Sequence, residues 1–201
     1  GTATFDMSAG GNNTFVAGSA AAAAGGSIAY TGGSGDDSLT FGISLATQYG
    51  TTTLDMSAGG NNTLVAGSSA ASSSGSIDYT GGSGVDSLTF GTYLAAFSGT
   101  ATFDLGSDSA ADTVTFEGTV AASGGNVSIS NFDPTDGDTI VLQLFSNTAD
   151  VTLSPSGGSS DTLVSAPSVT FVISGVTTGS LGLTTNSSGH VVITDAGSII
   201  V

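Results

Sequence analysis

The feature that most limits what this chain can fold into is a period. The stretch GTATFDMSAGGNNTFVAGS from Gly1 recurs as GTTTLDMSAGGNNTLVAGS from Gly50, and more weakly as GTATFDLGSDSAADTVTF from Gly99, a repeat of 49 residues. Each unit contains a half-period. An Asx-Ser/Thr-apolar triplet begins at Asn13, Asp37, Asn62, Asp86, Asp112, Asp138 and Asp161, at intervals of 24, 25, 24, 26, 26 and 23 residues. A second marker, apolar-x-apolar, begins at Phe5, Ile28, Leu54, Ile77, Phe103, Val127 and Val151, at intervals of 23, 26, 23, 26, 24 and 24. Two markers on one period over seven turns point to a repeat architecture, in which each unit buries its apolar face only against its neighbours.

The local pattern is that of strands. Apolar residues alternate at i and i+2 in Phe5/Met7, Ile28/Tyr30, Leu39/Phe41, Ile77/Tyr79 and Ile140/Leu142, and Gly-rich turns bound each run. The alanines from Ala20 to Ala24 run into Gly25-Gly26; so short a stretch does not nucleate a helix alone and reads as flat, small-residue packing. A coil of about 24 residues with two or three short strands predicts an all-β fold, a parallel β-helix or β-roll-like solenoid. Residues 1–145 are expected to form it from double-coil repeats (1–49, 50–98 and 99–145). In 146–201 the markers blur, but VTFVISGV, LGLTT and HVVIT still read as strands. That stretch is expected to hold the last coils and a β-rich C-terminal cap.

Composition narrows the function classes. The chain has 201 residues, no Lys, Arg, Cys or Trp, one His and a formal charge of −16. With no cation to meet phosphates, nucleic acid is excluded as a partner and anionic membrane surfaces are disfavoured. No apolar run has the length of a membrane-spanning helix, so no membrane insertion is expected. The chain is not expected to be an enzyme: His190 has no evident partner, Glu117 is the single Glu, and no Ser lies in a nucleophile-elbow pattern. A glycosidase-type carboxylate pair is the one catalytic arrangement left open.

The carboxylates suggest cations. In Phe5-Asp6-Met7, Leu54-Asp55-Met56, Ile77-Asp78-Tyr79 and Phe103-Asp104-Leu105 the middle residue must point away from the core. Stacking is expected to set Asp55, Asp78 and Asp104 in one outward column, about 4.8 Å per step. Neighbouring carboxylates there would repel by about 1 kcal/mol in water and about 3–4 kcal/mol at an effective dielectric of 20. Cations along the column would relieve this; a solvated acidic face is the plainer reading. With the turn acids Asp36, Asp37, Asp86, Asp112, Asp136 and Asp138, these residues form the candidate metal set, and oxygen-only ligands suit calcium.

Gly32–Thr40, GGSGDDSLT, and Gly81–Thr89, GGSGVDSLT, both match the pattern GGxGxDxUx. At these residues the chain resembles the repeats-in-toxin calcium-binding proteins of Gram-negative bacteria. The resemblance implies calcium at Asp37 and Asp86, with main-chain help from Gly33, Gly35, Gly82 and Gly84. Two departures stand out. The family's nonapeptide repeats in tandem, whereas these matches lie 49 residues apart, and the turns at Gly10 and Gly59 read GGNNT, with Asn13 and Asn62 in place of Asp. A hydrogen-bonded Asn ladder is the alternative there.

Ile129 to Leu142, with its Asp136-Gly137-Asp138 turn, looks like the segment flanking such repeats. Asp195 followed by Ile199-Ile200-Val201 is similar to C-terminal signals of type I secretion, and the stretch from Gly1 reads as strand and not as a secretory leader. Bacterial surface-layer proteins share these traits. The resemblance implies a secreted, cell-surface or extracellular structural protein (filament, matrix or surface-layer subunit) ordered by calcium. Its first expected partner is itself, head to tail, because the first coil copies the internal ones and carries no cap. A cell-surface polysaccharide is the second. The alternatives are a repeat fragment of a large adhesin, a noncatalytic secretion domain, and an ice-binding solenoid. The last rests on the pairs Thr2/Thr4, Thr51/Thr53 and Thr100/Thr102, which recur only in every second coil.

Overall fold

The computed structural model describes residues 1–157 and 160–198. The chain winds through six coils of a parallel β-solenoid. Coil 1 holds β1 (Thr2–Asp6), β2 (Thr14–Ala17) and β3 (Ala20–Ala21). Coil 2 holds β4 (Ser27–Thr31), β5 (Ser38–Phe41) and β6 (Ser44–Leu45), and coil 3 holds β7 (Thr51–Asp55), β8 (Thr63–Ala66) and β9 (Ser69–Ala70). Coil 4 holds β10 (Ser76–Thr80), β11 (Ser87–Phe90) and β12 (Tyr93–Leu94), and coil 5 holds β13 (Thr100–Asp104), β14 (Thr113–Phe116) and β15 (Thr119–Val120). Coil 6 supplies β16 (Asn126–Ser130) and β17 (Thr139–Leu142). Equivalent strands of successive coils pair in parallel, giving three columns.

Alternation explains the core. Along each strand every second residue turns inward, so register stacks like on like: Phe5, Tyr30, Leu54, Tyr79, Phe103 and Ile129 in one row, Phe15, Leu39, Leu64, Leu88, Val114 and Ile140 in another. From coil 2 onward all of these are buried, each worth about 1.5–3 kcal/mol of transfer free energy. The alanine corner forms no helix. Ala20-Ala21 is a two-residue strand, and Ala22, Ala46, Ala71, Ala95 and Ala121 stack in left-handed conformation, with φ between 48° and 53°. The glycine that closes each of these corners is required by close approach: a Cβ on Gly50, Gly75, Gly99 or Gly125 would land on the carbonyl oxygen of Ala22, Ala46, Ala71 or Ala95.

The C-terminal part is a cap of hairpins. β18 (Thr152–Pro155), β19 (Thr162–Ala166) and β20 (Val169–Ile173) pair antiparallel, as do β21 (Leu181–Thr185) and β22 (Val191–Asp195). β20 lies against both β15 and β16, and β22 against β17, so together they cover the last coil. Phe171 enters the core beside Phe116, ring centroids 5.2 Å apart. Short 3₁₀ turns fall at Thr148–Asp150, Thr178–Ser180 and Ala196–Ser198, and no described helix is long and apolar enough to cross a membrane.

Two sequence expectations need correction. The solenoid has six turns: Asp161-Thr162-Leu163 lies at the start of an antiparallel hairpin strand, and a hairpin alternates in the same way as a rung. Asp55, Asp78 and Asp104 do not share a column. Asp55 pairs with Thr31 and Thr80, and Asp104 with Thr80 and Ser130, while Asp78 sits two residues earlier along its strand, between Thr53 and Thr102. The apolar marker had slipped by two residues on alternate coils, taking Ile28, Ile77 and Val127 for the equivalents of Tyr30, Tyr79 and Ile129. The repulsive column that called for cations is therefore broken by hydroxyls, and the Thr102 hydroxyl donates to the Asp78 carboxylate.

Candidate functional site

The turn preceding the second strand of each coil carries the Asx residue of the triplet, and these side chains point inward. They form one continuous ladder. The Asn13 amide donates to Asp37 Oδ1 at 2.9 Å, Asp37 to Asn62 Oδ1 at 3.1 Å and Asn62 to Asp86 Oδ1 at 3.0 Å. Asp86 continues to Asp112 Oδ1 and Asp112 to Asp138 Oδ1, both at 2.7 Å. Asp37, Asn62, Asp86, Asp112 and Asp138 are all at most 2% exposed. Each carboxylate thus takes a backbone N–H from the coil before it, which replaces the water lost on burial.

Three of the second oxygens, those of Asp37, Asp86 and Asp138, are also engaged. Gly33 N–H reaches Asp37 Oδ2 at 3.2 Å, the Tyr79 hydroxyl donates to Asp86 Oδ2 at 2.7 Å, and Asp133 N–H donates to Asp138 Oδ2 at 2.8 Å. Burial raises the pKa of Asp86 and Asp138 despite these hydrogen bonds. Asp112 is pushed up to about 7, by burial first and then by the charges of Asp138, Asp86 and Asp108. Tyr79 is raised too, by burial and by the Asp86 charge.

A second ladder runs on the solvent side with the opposite sense. Asp36 N–H donates to Asn12 Oδ1, Asn61 N–H to Asp36 Oδ1 and Val85 N–H to Asn61 Oδ1, at 2.8–3.1 Å. Asp55 and Asp104 close local Asx turns, accepting from Ser57 and Gly106 N–H, and Asp104 also accepts from Asn131 Nδ2. Asp136 is half-buried in the turn after Asp133.

The glycines of the nonapeptide pattern serve stacking. A Cβ on Gly33 or Gly82 would strike the backbone of Gly10 or Gly59, and one on Gly35 or Gly84 that of Gly11 or Gly60. The ladder acids and these glycines therefore meet each other's coils and do not converge on a shared cavity. Among the described residues no group of three or more His, Cys, Asp or Glu is placed to hold a metal ion. Calcium at Asp37 and Asp86 does not fit these contacts, because protein donors already take their oxygens. The hydrogen-bonded Asx ladder foreseen for Asn13 and Asn62 runs through the Asp positions as well.

Sequence reasoning missed three features. The Tyr79–Asp86 hydrogen bond has a spacing of seven that recurs at Tyr30 and Asp37, where the buried Tyr30 hydroxyl has no partner. The outer ladder was legible in the Asn-Asn pairs at Asn12 and Asn61. Asp108 Oδ2 is buried without a hydrogen-bond partner beside a cleft of about 400 Å³ between the turns of coils 5 and 6 and the cap, and no sequence signal marks it.

Comparison with protein families, curated proteins and solved structures finds no match to the chain. Residues 199–201 of the candidate secretion signal lie outside the described residues.

Proposed function

We propose that the chain is a structural module of an extracellular assembly, a filament, matrix or surface layer. One observation carries the reading: the inward polar groups at the coil turns are spent on holding coil to coil, which is what a load-transmitting stack needs and a catalytic cleft does not. A structural role is also supported by a composition without Lys, Arg or Cys. The secreted setting rests on the nonapeptide resemblance. A cell-surface polysaccharide as second partner rests on Tyr49 and Phe97, residues 75% and 63% exposed on the alanine corner.

The cap covers the last coil, so in this reading copies do not stack through that end. The ladder's hydrogen bonds run between protein groups, so the reading does not depend on calcium. Size-exclusion chromatography and electron microscopy of the protein, with calcium and then with EGTA, test the proposal. Ordered assemblies in both conditions are expected. A lone folded monomer in both, at every concentration, overturns it.

A further inference from the structure

The outward side of the second strand column carries a regular pattern that the ladders do not use. Each of β2, β5, β8, β11, β14 and β17 has two outward positions, and register stacks these into two rows. One row reads Thr14, Ser38, Thr63, Ser87, Thr113 and Thr139, a hydroxyl in every coil. The other reads Val16, Thr40, Val65, Thr89, Thr115 and Val141, a β-branched residue in every coil. No member of either row is buried, and Val16 is 70% exposed. The face runs along the side of the stack and stops at the cap, where β22 continues the sheet and Val192, beside Val141, is buried. It carries no carboxylate and no aromatic ring. The outward rows of the first column, which hold Thr51/Thr53 and Thr100/Thr102, differ: Asp55, Asp78 and Asp104 interrupt them.

A neutral array of this kind selects its ligand by periodicity. Hydroxyls and methyls each contribute weakly and matter only when many are met at once, so the ligand must repeat in two dimensions. The side chains are set in advance for such a contact. A β-branched residue has few χ1 states, and side-chain ladders such as those in the adjoining turns hold a sheet flat. The Thr113 and Thr139 hydroxyls share a hydrogen bond of 3.2 Å, and the other hydroxyls of the two rows have no protein partner among the described residues. They are free to bond outward.

We propose that the outward face of the second column binds ice. Its members lie about 4.8 Å apart from coil to coil and about 6.6 Å apart along each strand. Oxygens on the prism faces of hexagonal ice repeat at close to both distances. Hydroxyls extend the lattice by hydrogen bonds, and the methyl groups between them leave the intervening water to order itself. A charge would hold a hydration shell of its own and break the match, which is why the first column, with its carboxylates, is not the binding face. A crystalline polysaccharide is also periodic, but this face has no ring to stack on a sugar.

The test is uptake of the dye-labelled protein into a slowly grown ice hemisphere, together with thermal hysteresis in dilute buffer. Because the chain has no Lys, an amine-reactive dye labels the N-terminus and leaves the face untouched. Thr89→Tyr sets a ring across the middle of the array, and Thr53→Tyr sets the same ring on the first-column face. Folding of both is checked by circular dichroism, and Val65→Tyr, one coil earlier, repeats the test should Thr89→Tyr not fold. The wild-type protein and Thr53→Tyr are expected to enter the ice and to hold a hysteresis gap; Thr89→Tyr should do neither. Exclusion of the folded wild-type protein from ice, uptake unchanged by Thr89→Tyr, or equal loss in both variants would each overturn the proposal. Binding to powdered crystalline chitin or cellulose that Thr89→Tyr abolishes, without uptake into ice, would overturn it in favour of a polysaccharide. Assembly plays no part in these readouts, so a monomer that enters ice would refute the structural-module reading and leave this one standing.

Discussion

Asp112→Asn isolates the energetics of the ladder. Asp112 is 2% exposed, accepts the Asp86 N–H and donates its own N–H to Asp138 Oδ1, both at 2.7 Å. An amide oxygen serves the same purpose, as Asn62 does two coils earlier, and the Asn62 side-chain amide also donates to Asp86 Oδ1 at 3.1 Å. The substitution thus keeps the ladder and removes a buried charge. The carboxyl is pushed from 3.8 to about 7; at 1.36 kcal/mol per pK unit, the ionised form is disfavoured by at most about 4 kcal/mol. Solvent reaching the turn screens part of this, leaving about 2 kcal/mol. At pH 8, Asp112→Asn is expected to raise Tm by about 4–8 °C for a chain of this size. The folded state binds the proton more tightly than the unfolded state, so the wild-type protein gains stability as pH falls from about 7 toward 4. The variant should lack most of that gain, and the two melts should converge near pH 4. Circular-dichroism melts at pH 8, 6 and 4.5 decide it. A lower Tm for the variant at pH 8, or a benefit independent of pH, would refute the reasoning.

Tyr79→Phe should cost about 2 kcal/mol in denaturant titrations, because it strips a hydrogen bond from the buried Asp86 carboxylate. Tyr30→Phe, which removes an unpartnered hydroxyl, should be neutral or slightly stabilising. Gly75→Ala drives a methyl into the Ala46 carbonyl and is expected to cost about 3 kcal/mol or more, whereas Gly18→Ala, with open space around it, should stay within about 0.5 kcal/mol. EGTA should change the Tm of the calcium-loaded protein by less than about 2 °C; a larger loss would return a cation to the turns.

The fold was legible because the Asx triplet marks an invariant event, one inward turn per coil, and its intervals from Asn13 to Asp138 match the strand register. The apolar marker was less faithful, since each first strand carries two inward positions: coils 2, 4 and 6 fill the first with Ile28, Ile77 and Val127, whereas coils 1, 3 and 5 hold Ala3, Thr52 and Ala101 there. That ambiguity put Asp78 in the wrong column. The role of the turn acids is ambiguous in the sequence for a related reason. A Gly-rich turn ending in Asp has the same letters whether the carboxylate faces a cation or the next coil's amide. Only the burial of Asp37 and Asp86, and the backbone of Gly10 and Gly59 pressed against Gly33 and Gly82, separates the two.

The order of Asn and Asp along the ladder gives the stack a direction. The capped end holds three carboxylates in succession, Asp86, Asp112 and Asp138, and the last is served by a second donor, the N–H of Asp133. Coils 1 and 3 hold Asn13 and Asn62. Covering an amide with another coil costs a polar desolvation that one hydrogen bond largely offsets, whereas covering a carboxylate costs far more. Asn62 therefore keeps Asp37 and Asp86 from stacking on a third buried charge. Asn62→Asp would place that charge between them, and the variant's Tm should then rise as pH falls, following the same titration that burial imposes on Asp112.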